Sequence, residues 1–244
     1  MIFVTGRTKR AIEDHFDVNL ELETALAAKD KDDLCEMVRS IIPAGVNFVF
    51  VRQAEVLGLG HAVLCVAPVI GDEPFAILLA DDLMRGDVLP TTALCWAHVE
   101  HGGSIISVSC VADSEVSKYG IVSTFGETLG DLQRITGIVE KPAQEDAPSN
   151  LASIGRYVFE AGIFNILRGQ QAGHGGEIQL ADAINTLAER GEVLCQSILG
   201  VRYDCGSTFG YLEAIVNTAL EHEDYAERFR DMLIHRVKGC EAAE

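Results

Sequence analysis

The chain has 244 residues, 48% of them hydrophobic, which is enough for one large core or two small ones. Its 37 acidic and 19 basic residues give a net charge of −18, which argues against a nucleic-acid polymer as partner because phosphate backbones need a basic surface. No signal peptide is predicted, and the longest apolar run, residues 62–70, is too short to span a membrane.

The cysteine pattern predicts a reducing compartment. Seven cysteines include no C-x-x-C pair, and several lie within apolar runs. Buried, reduced thiols have this distribution, so we expect a cytoplasmic protein without disulfides.

In its first half the chain alternates strands and helices. Residues 1–6 predict a strand, Arg7–Asp17 a helix, and the polar stretch 18–46 further helices. Asn47–Arg52 is the next predicted strand. Gly58 and Gly60 then form a loop before a helix, where a ligand could approach the backbone closely, although a lone Gly-x-Gly is a weak signal.

The third strand, Phe75–Ala80, ends in two adjacent carboxylates, Asp81 and Asp82. An uninterrupted apolar run is typical of a strand buried on both faces, as in a parallel sheet, where ligands bind beyond the carboxyl ends of the strands. Two neighbouring carboxylates favour a divalent metal between or beside them. The alternative is a solvated turn that merely ends the strand.

The second half changes in character. Tyr119–Val122 and Arg134–Val139 predict an antiparallel pair that leads into Glu140-Lys141. Later, Val193–Ile198 predicts a strand, the segment Val201–Ser207 places Asp204 before a turn, and residues 208–244 predict C-terminal helices. These helices could form a homo-oligomer surface, or their charge could simply be solvated. No repeat or linker divides the chain, so we predict a single domain over 1–244.

Taken together and in order, these motifs resemble the bacterial UTP–glucose-1-phosphate uridylyltransferases, also called UDP-glucose pyrophosphorylases. The matching segments are Val4–Asp17, Leu57–Val63, Glu73–Leu79 with Asp81-Asp82, Lys118–Ile121, Val139–Pro142, Ala147–Ala152, Gly155–Tyr157, Gly175–Leu180 and Arg202–Asp204. They cover nearly the whole chain.

The resemblance implies an α/β, Rossmann-like nucleotidyltransferase fold with a mixed, mostly parallel sheet flanked by helices. It also implies that UTP and glucose 1-phosphate give UDP-glucose and pyrophosphate with Mg²⁺ as cofactor. By motif, Asp81 and Asp204 would hold the metal.

Four further positions take roles from the same resemblance. Glu140 would bind sugar hydroxyls, Lys141 the sugar phosphate, and the backbone at Gly120 would line the sugar pocket. Gln53 and Gly58 would face the uracil and ribose. Asp81 and Lys141 are thus the expected catalytic residues, since two anions must be brought together and their charge neutralised.

One family feature is missing from the sequence. No G-x-G-T-R loop, which cradles the triphosphate in this family, occurs in the 244 residues, and the chain starts at what resembles the family's second strand. We expect roughly one βα unit, about 30 residues, to be lacking. We therefore expect the isolated chain to have low stability and a defective UTP site. We also expect that the start codon was assigned too far downstream or that the gene is a fragment.

Two other functions stay open at this point. A related sugar-1-phosphate nucleotidyltransferase that uses dTTP would share most motifs, and a comparison of UTP with dTTP separates it. A remnant that binds sugar phosphate without turning over UTP, or that pairs with an intact homologue, is the non-enzyme alternative.

Overall fold

A computed structural model of the chain describes residues 1–126 and 128–241. The strands in chain order are β1 (Ile2–Thr5), β2 (Val49–Arg52), β3 (Phe75–Leu78), β4 (Asp82–Arg85), β5 (Ser104–Cys110), β6 (Gly120–Thr124), β7 (Leu132–Glu140), β8 (Leu151–Phe159), β9 (Val193–Ser197) and β10 (Val201–Asp204). The α-helices are α1 (Arg10–Phe16), α2 (Leu20–Ala27), α3 (Asp32–Arg39), α4 (Leu59–Cys65), α5 (Ala67–Ile70), α6 (Pro90–His101), α7 (Ile163–Gly169), α8 (Leu180–Glu189), α9 (Thr208–Leu220) and α10 (Ala226–Glu241).

The chain divides into two compact units. Unit 1 contains Met1–Pro74 and Glu160–Leu187, and unit 2 contains Phe75–Phe159 and the chain from Ala188 onward. The prediction of a single domain over 1–244 stays a prediction, and the two units are described separately below.

Unit 1 is built on the parallel pair β1–β2, in which Ile2 lies opposite Val49 and Thr5 opposite Arg52. Aromatic rings hold α1 against this pair: the Phe3 ring stacks on Phe16 with centroids 5.2 Å apart, and Phe16 contacts Phe48 at 4.6 Å. The predicted strands and the helix after the first of them are thereby confirmed, and apolar ring contact is what fixes their packing.

Unit 2 contains a six-stranded sheet in the order β3-β8-β5-β9-β7-β6 and a separate antiparallel pair, β4–β10. The side chains of Ile105, Ile106 and Val108 on β5 are almost completely buried. Helix α6 covers one side of the sheet, where Leu94 packs in a cluster with Ile105, Leu132 and Val158. The mixed α/β class is confirmed, and so is the antiparallel pairing of β6 with β7.

The expectation of a mostly parallel sheet is wrong for the described strands. Within unit 2 only β5 and β9 pair in parallel, whereas β3–β8, β5–β8, β6–β7 and β7–β9 are antiparallel. β3 is an edge strand of the described sheet, and Leu78 is 53% exposed. The expected burial of this strand on both faces is also wrong for the described residues, since Ala76 and Leu78 are exposed. An apolar run carries no information about the direction of the neighbouring strand.

The C-terminal helices predicted over 208–244 are confirmed as α9 and α10 for the described residues, and residues 242–244 lie outside them. A homo-oligomer through these helices stays a prediction. Within residues 1–126 and 128–241 we find no helix with the length and apolar character needed to cross a membrane. The six cysteines whose side chains are described are free thiols, but only Cys35 and Cys195 are buried, so the expected burial is wrong for the other four. The cytoplasmic location stays a prediction.

Burial in unit 2 makes the fold sensitive to alkali. Burial raises the pKa of Tyr157 to about 12 from an ordinary value of 10.0, while the nearby Ser153 hydroxyl opposes the shift. Because the folded pKa is raised, this stabilising contribution is present below about pH 10 and is lost as the pH rises toward about 12.

We expect the free energy of unfolding to fall by about 1.4 kcal/mol between about pH 8 and about pH 11 through Tyr157 alone. Tyr157→Phe should remove this part of the loss, as measured by urea unfolding at the two pH values. The control is Tyr211→Phe, because Tyr211 is 55% exposed. An equal pH-dependent loss in the Tyr157→Phe variant and the unsubstituted chain would contradict the account.

Candidate active site

The two carboxylates after β3 have different environments. Asp81 is exposed, whereas Asp82, the first residue of β4, is 6% exposed. The Asp82 carboxylate accepts hydrogen bonds from the backbone N–H of Gly155 at 2.9 Å and from Nε of Arg202 at 2.5 Å. Asp82 is therefore a buried structural carboxylate, and Asp81 is the one that a ligand can reach.

Two arginines enclose Asp82. Arg156 donates from Nη1 to the carbonyl of Leu79 at 2.9 Å and from Nη2 to the carbonyl of Asp82. Burial lowers the pKa of Arg156, and the charge of Asp82 opposes this shift. Burial also acts to lower the pKa of Arg202, but the hydrogen bond to Tyr119 and the charge of Asp82 outweigh it and raise that pKa overall.

Gly155 leaves the space that Asp82 needs. A Cβ atom at position 155 would lie 2.7 Å from Cβ of Leu79 and still closer to the Asp82 carboxylate. Contacts this short do not occur between real side chains, so only glycine allows the carboxylate to reach the N–H of residue 155. The Gly155-Arg156 sequence thus supplies both space and charge to one buried group.

Asp81 and Asp204 converge on the backbone of Gly206. The N–H of Cys205 donates to the carbonyl of Asp81 at 2.7 Å, which ties the chain after β10 to the residue before β4. A Cβ atom at Gly206 would lie 3.0 Å from Oδ2 of Asp81 and 3.1 Å from Oδ1 of Asp204. The two predicted metal ligands therefore both border the space left by the missing side chain of Gly206.

This donor pair suits a divalent cation. Carboxylate oxygens are hard ligands of the kind that Mg²⁺ prefers, and Mg²⁺ commonly takes one or two carboxylates with water and phosphate oxygens in its other positions. The described parts of the chain contain no cluster of three or more His, Cys, Asp or Glu residues arranged for a metal. A cation held here would accordingly keep open positions for substrate.

Asp204 is held by three groups. Its Oδ1 accepts from the N–H of Gly206 at 3.1 Å, and its Oδ2 accepts from the Tyr119 hydroxyl at 3.1 Å. Nη2 of Arg202 lies 3.7 Å from the same Oδ2. Arg202 also donates from Nη1 to the Tyr119 hydroxyl at 3.3 Å, and its guanidinium lies 5.0 Å from the centroid of the Tyr119 ring.

The predicted sugar residues meet where β6 begins and β7 ends. Gly120 lies directly opposite Glu140 in the β6–β7 register. A Cβ atom at position 120 would lie 2.9 Å from Cδ1 of Ile138 and 3.1 Å from Oε2 of Glu140. The missing side chain lets the Glu140 carboxylate lie over the backbone of residue 120, as expected if both border one pocket.

Lys141 follows in a strained conformation. Its φ of 46° lies in the left-handed region, which is uncommon for residues other than glycine and costs about 1–2 kcal/mol. Its backbone N–H donates to the carbonyl of Tyr119 at 2.9 Å, and its Nζ lies 4.0 Å from Oε1 of Glu140. The ammonium group is mostly exposed and is able to bind an anion.

The two predicted nucleotide residues belong to unit 1 and contact each other. Nε2 of Gln53 donates to the carbonyl of Gly58 at 3.0 Å and lies 3.0 Å from Nδ1 of His61. Gly58 has φ 89°, and a Cβ atom there would lie 2.9 Å from the carbonyl oxygen of Ile178. The glycine loop is therefore held in place by Gln53 on one side and by the segment around Ile178 on the other.

Sequence reasoning left three functional neighbours of Asp204 and Asp82 without a role: Tyr119, Arg156 and Arg202. Each lies inside a motif that carries the family resemblance, namely Lys118–Ile121, Gly155–Tyr157 and Arg202–Asp204. Their presence in those motifs was the available signal. What the sequence could not provide is the pairing of residues 85 and 120 positions apart, which requires the fold.

Comparisons with known proteins identify the family to which this chain is similar. The profile of the nucleotidyl transferase family matches residues 14–221. A UTP–glucose-1-phosphate uridylyltransferase from Haemophilus influenzae is 42% identical over 245 residues, covering 98% of this chain and 83% of its own length. One from Pseudomonas aeruginosa is 44% identical over 223 residues, covering 90% of this chain and 78% of its own.

Solved structures give the same relationship. A UTP-bound UDP-glucose pyrophosphorylase from Acinetobacter baumannii superposes with a TM-score of 0.87 at 38% identity, over 96% of this chain and 81% of that one. A UDP-glucose pyrophosphorylase in complex with UDP-glucose gives 0.80 at 40% identity, over 91% of this chain and 81% of the other.

The environments of Asp81 and Asp82 predict that the same substitution lowers the free energy of unfolding strongly at position 82 and hardly at all at position 81. Asp82→Asn leaves the Arg202 guanidinium without its buried counter-charge, so we expect the free energy of unfolding to fall by about 3 kcal/mol or more. Asp81→Asn, the matched control at an exposed position, should change it by less than about 0.5 kcal/mol. Chemical denaturation measures both, and an equal loss in the two variants would refute the assignment of Asp82.

Proposed function

This chain belongs to the family of bacterial UTP–glucose-1-phosphate uridylyltransferases, and we propose that it transfers UMP from UTP to glucose 1-phosphate. The products are UDP-glucose and pyrophosphate. The observation that carries the proposal is the convergence of the Asp81 and Asp204 carboxylates on Gly206, in the same unit as the Glu140-Lys141 pair.

The reaction is an in-line displacement at phosphorus. A phosphate oxygen of glucose 1-phosphate attacks the α-phosphorus of UTP, and the bond from that phosphorus to the bridging α–β oxygen breaks, so that pyrophosphate leaves. Attacker and target are both anions, and the chain itself has a net charge of −18. Positive charge must therefore be placed locally, and catalysis consists mainly of alignment and charge neutralisation.

Lys141 supplies one such charge. Its exposed ammonium group would bind the phosphate of glucose 1-phosphate, and its left-handed backbone, fixed by the carbonyl of Tyr119, sets the direction in which the side chain leaves the strand. Glu140 lies over Gly120 and presents a carboxylate that can accept hydrogen bonds from sugar hydroxyls. One strand end would thus bind both the neutral and the charged parts of the sugar phosphate.

Asp81 and Asp204 are proposed to hold Mg²⁺. When bound, the ion neutralises charge on the phosphates and supports their in-line alignment. The two carboxylates provide hard oxygen ligands and leave positions for phosphate and water. Gln53 and Gly58 are proposed to face the uracil and the ribose of UTP. Gly58 directly precedes α4, and Gln53 holds it in place by donating to its carbonyl, so a nucleotide could approach the backbone there.

The alternative is a protein that binds sugar phosphate without turning over UTP. Separate calorimetric titrations with glucose 1-phosphate and with UTP discriminate between the two proposals: the transferase binds both, and the alternative binds only the sugar phosphate. The dTTP-using alternative is tested by offering dTTP in place of UTP.

We expect pyrophosphate release that requires UTP, glucose 1-phosphate and a divalent cation. Asp81→Asn and Asp204→Asn should each lower kcat by about 100-fold or more, since each removes a group that places charge at the reacting phosphates. Lys141→Gln should chiefly raise the KM for glucose 1-phosphate. Lys29→Gln, an exposed lysine in unit 1, is the matched control and should leave both constants unchanged.

The measurement is a coupled pyrophosphate assay, with UDP-glucose identified by mass spectrometry. Turnover that survives both aspartate substitutions within about threefold would contradict the metal assignment. A Lys141→Gln variant with an unchanged KM would contradict the phosphate assignment.

A further inference from the structure

Tyr119 contacts both the proposed metal ligand Asp204 and the proposed phosphate ligand Lys141 of unit 2. Its hydroxyl donates to Oδ2 of Asp204 at 3.1 Å, and its own carbonyl accepts the N–H of Lys141 at 2.9 Å. The residue therefore touches the proposed metal ligand with its side chain and the proposed phosphate ligand with its backbone.

The hydroxyl of Tyr119 both donates and accepts a hydrogen bond. It accepts from Nη1 of Arg202 at 3.3 Å while it donates to Asp204, so it stands between a guanidinium and a carboxylate. Arg202 is itself fixed by the buried Asp82 through its Nε. A chain of hydrogen bonds thus runs from the buried Asp82 through Arg202 and Tyr119 to Asp204.

The ring of Tyr119 is fixed as firmly as its hydroxyl. One face carries the Arg202 guanidinium, 5.0 Å from the ring centroid. The ring also packs against a buried apolar cluster that includes Val116, Ile121 and Ile154. With ring and hydroxyl both held, the phenol has little freedom, and the Asp204 carboxylate that it binds is held by a rigid donor.

The orientation of Asp204 matters because its two oxygens have different neighbours. Oδ2 receives the Tyr119 hydroxyl, while Oδ1 accepts the N–H of Gly206, the residue that Oδ2 of Asp81 also borders. Without the hydroxyl, Oδ2 would keep only the Arg202 guanidinium, 3.7 Å away, and the χ2 angle, a broad torsion for aspartate, would be less restricted. The bond at Oδ2 thereby helps to keep Oδ1 directed at Gly206.

We propose that Tyr119 is a positioning residue that orients Asp204 for a divalent cation through its hydroxyl and fixes Lys141 through its carbonyl. The inference rests on the proposed function for the identity of the substrates, but its metal-binding half can be tested without turnover. Residues that orient a metal ligand through its second oxygen commonly change metal affinity about 10-fold or more when they are removed.

Tyr119→Phe is the discriminating variant. It keeps the ring, the stacking of the Arg202 guanidinium on that ring and the carbonyl that binds Lys141, and it removes the hydroxyl with its hydrogen bonds to Asp204 and Arg202. Two quantities are measured without UTP: the affinity for Mn²⁺, from the electron paramagnetic resonance signal of the free ion, and the affinity for glucose 1-phosphate without metal, by calorimetry. Tyr211→Phe, the same change at an exposed position, is the control.

We expect Tyr119→Phe to weaken Mn²⁺ binding by about 10-fold and to leave glucose 1-phosphate binding within about twofold. A role in general stability would lower both affinities together with the melting temperature, and that result would overturn the proposal. Unchanged Mn²⁺ affinity in the variant, or no Mn²⁺ binding by the unsubstituted chain at millimolar concentration, would overturn it as well.

Activity separates this inference from the proposed function. If the unsubstituted chain makes no UDP-glucose but Tyr119→Phe still weakens Mn²⁺ binding selectively, the function is wrong and the positioning role stands. If the chain is active and the variant binds Mn²⁺ as well as the unsubstituted protein, the positioning role is wrong and the function stands.

Discussion

The buried carboxylate of Asp82 is the group on which the geometry of unit 2 depends. The carboxylate accepts hydrogen bonds from Arg202 of β10 and from the backbone N–H of Gly155 of β8. The backbone carbonyl of Asp82 accepts a further one from Arg156, also of β8. Two other strands, β8 and β10, therefore meet at one residue of β4. A buried ion pair contributes little net stability compared with an apolar core, but breaking it is costly, so its main effect is to allow a single arrangement of these strands.

The positions of the exposed candidate ligands follow from that buried arrangement. Because Asp82 and Arg202 fix the register of β4 with β10, the carboxylates of Asp81 and Asp204 both come to border Gly206. Because Arg202 also holds Tyr119, the residues at the ends of β6 and β7 are tied to the same point. A net negative chain can in this way present two carboxylates to a cation and a lysine to a phosphate within one unit.

Much of this could be predicted from the sequence, and the exceptions have physical reasons. Asp204 was expected before a turn and is the last residue of β10, whereas β3 ends at Leu78, so that Asp81 lies directly before β4 and not at the end of the predicted strand. The family resemblance assigned Gly120 and Glu140 to one pocket, and the two lie opposite each other in the β6–β7 register. Only the family resemblance favoured Asp81 over Asp82 as a metal ligand, because two adjacent residues have the same local pattern and only their long-range partners separate them. The prediction of a mostly parallel sheet was wrong for the same reason, because hydrophobic periodicity describes one strand and not its neighbour.

The most direct test of the account is the position of a bound cation. A crystal structure of the chain soaked with Mn²⁺ should show an anomalous peak at about 2.1 Å from an oxygen of both Asp81 and Asp204, with Asp82 still bound to Arg202. A Mn²⁺ ion coordinated by Asp82, or one that contacts neither Asp81 nor Asp204, would contradict the division between the buried structural carboxylate and the two ligands it positions.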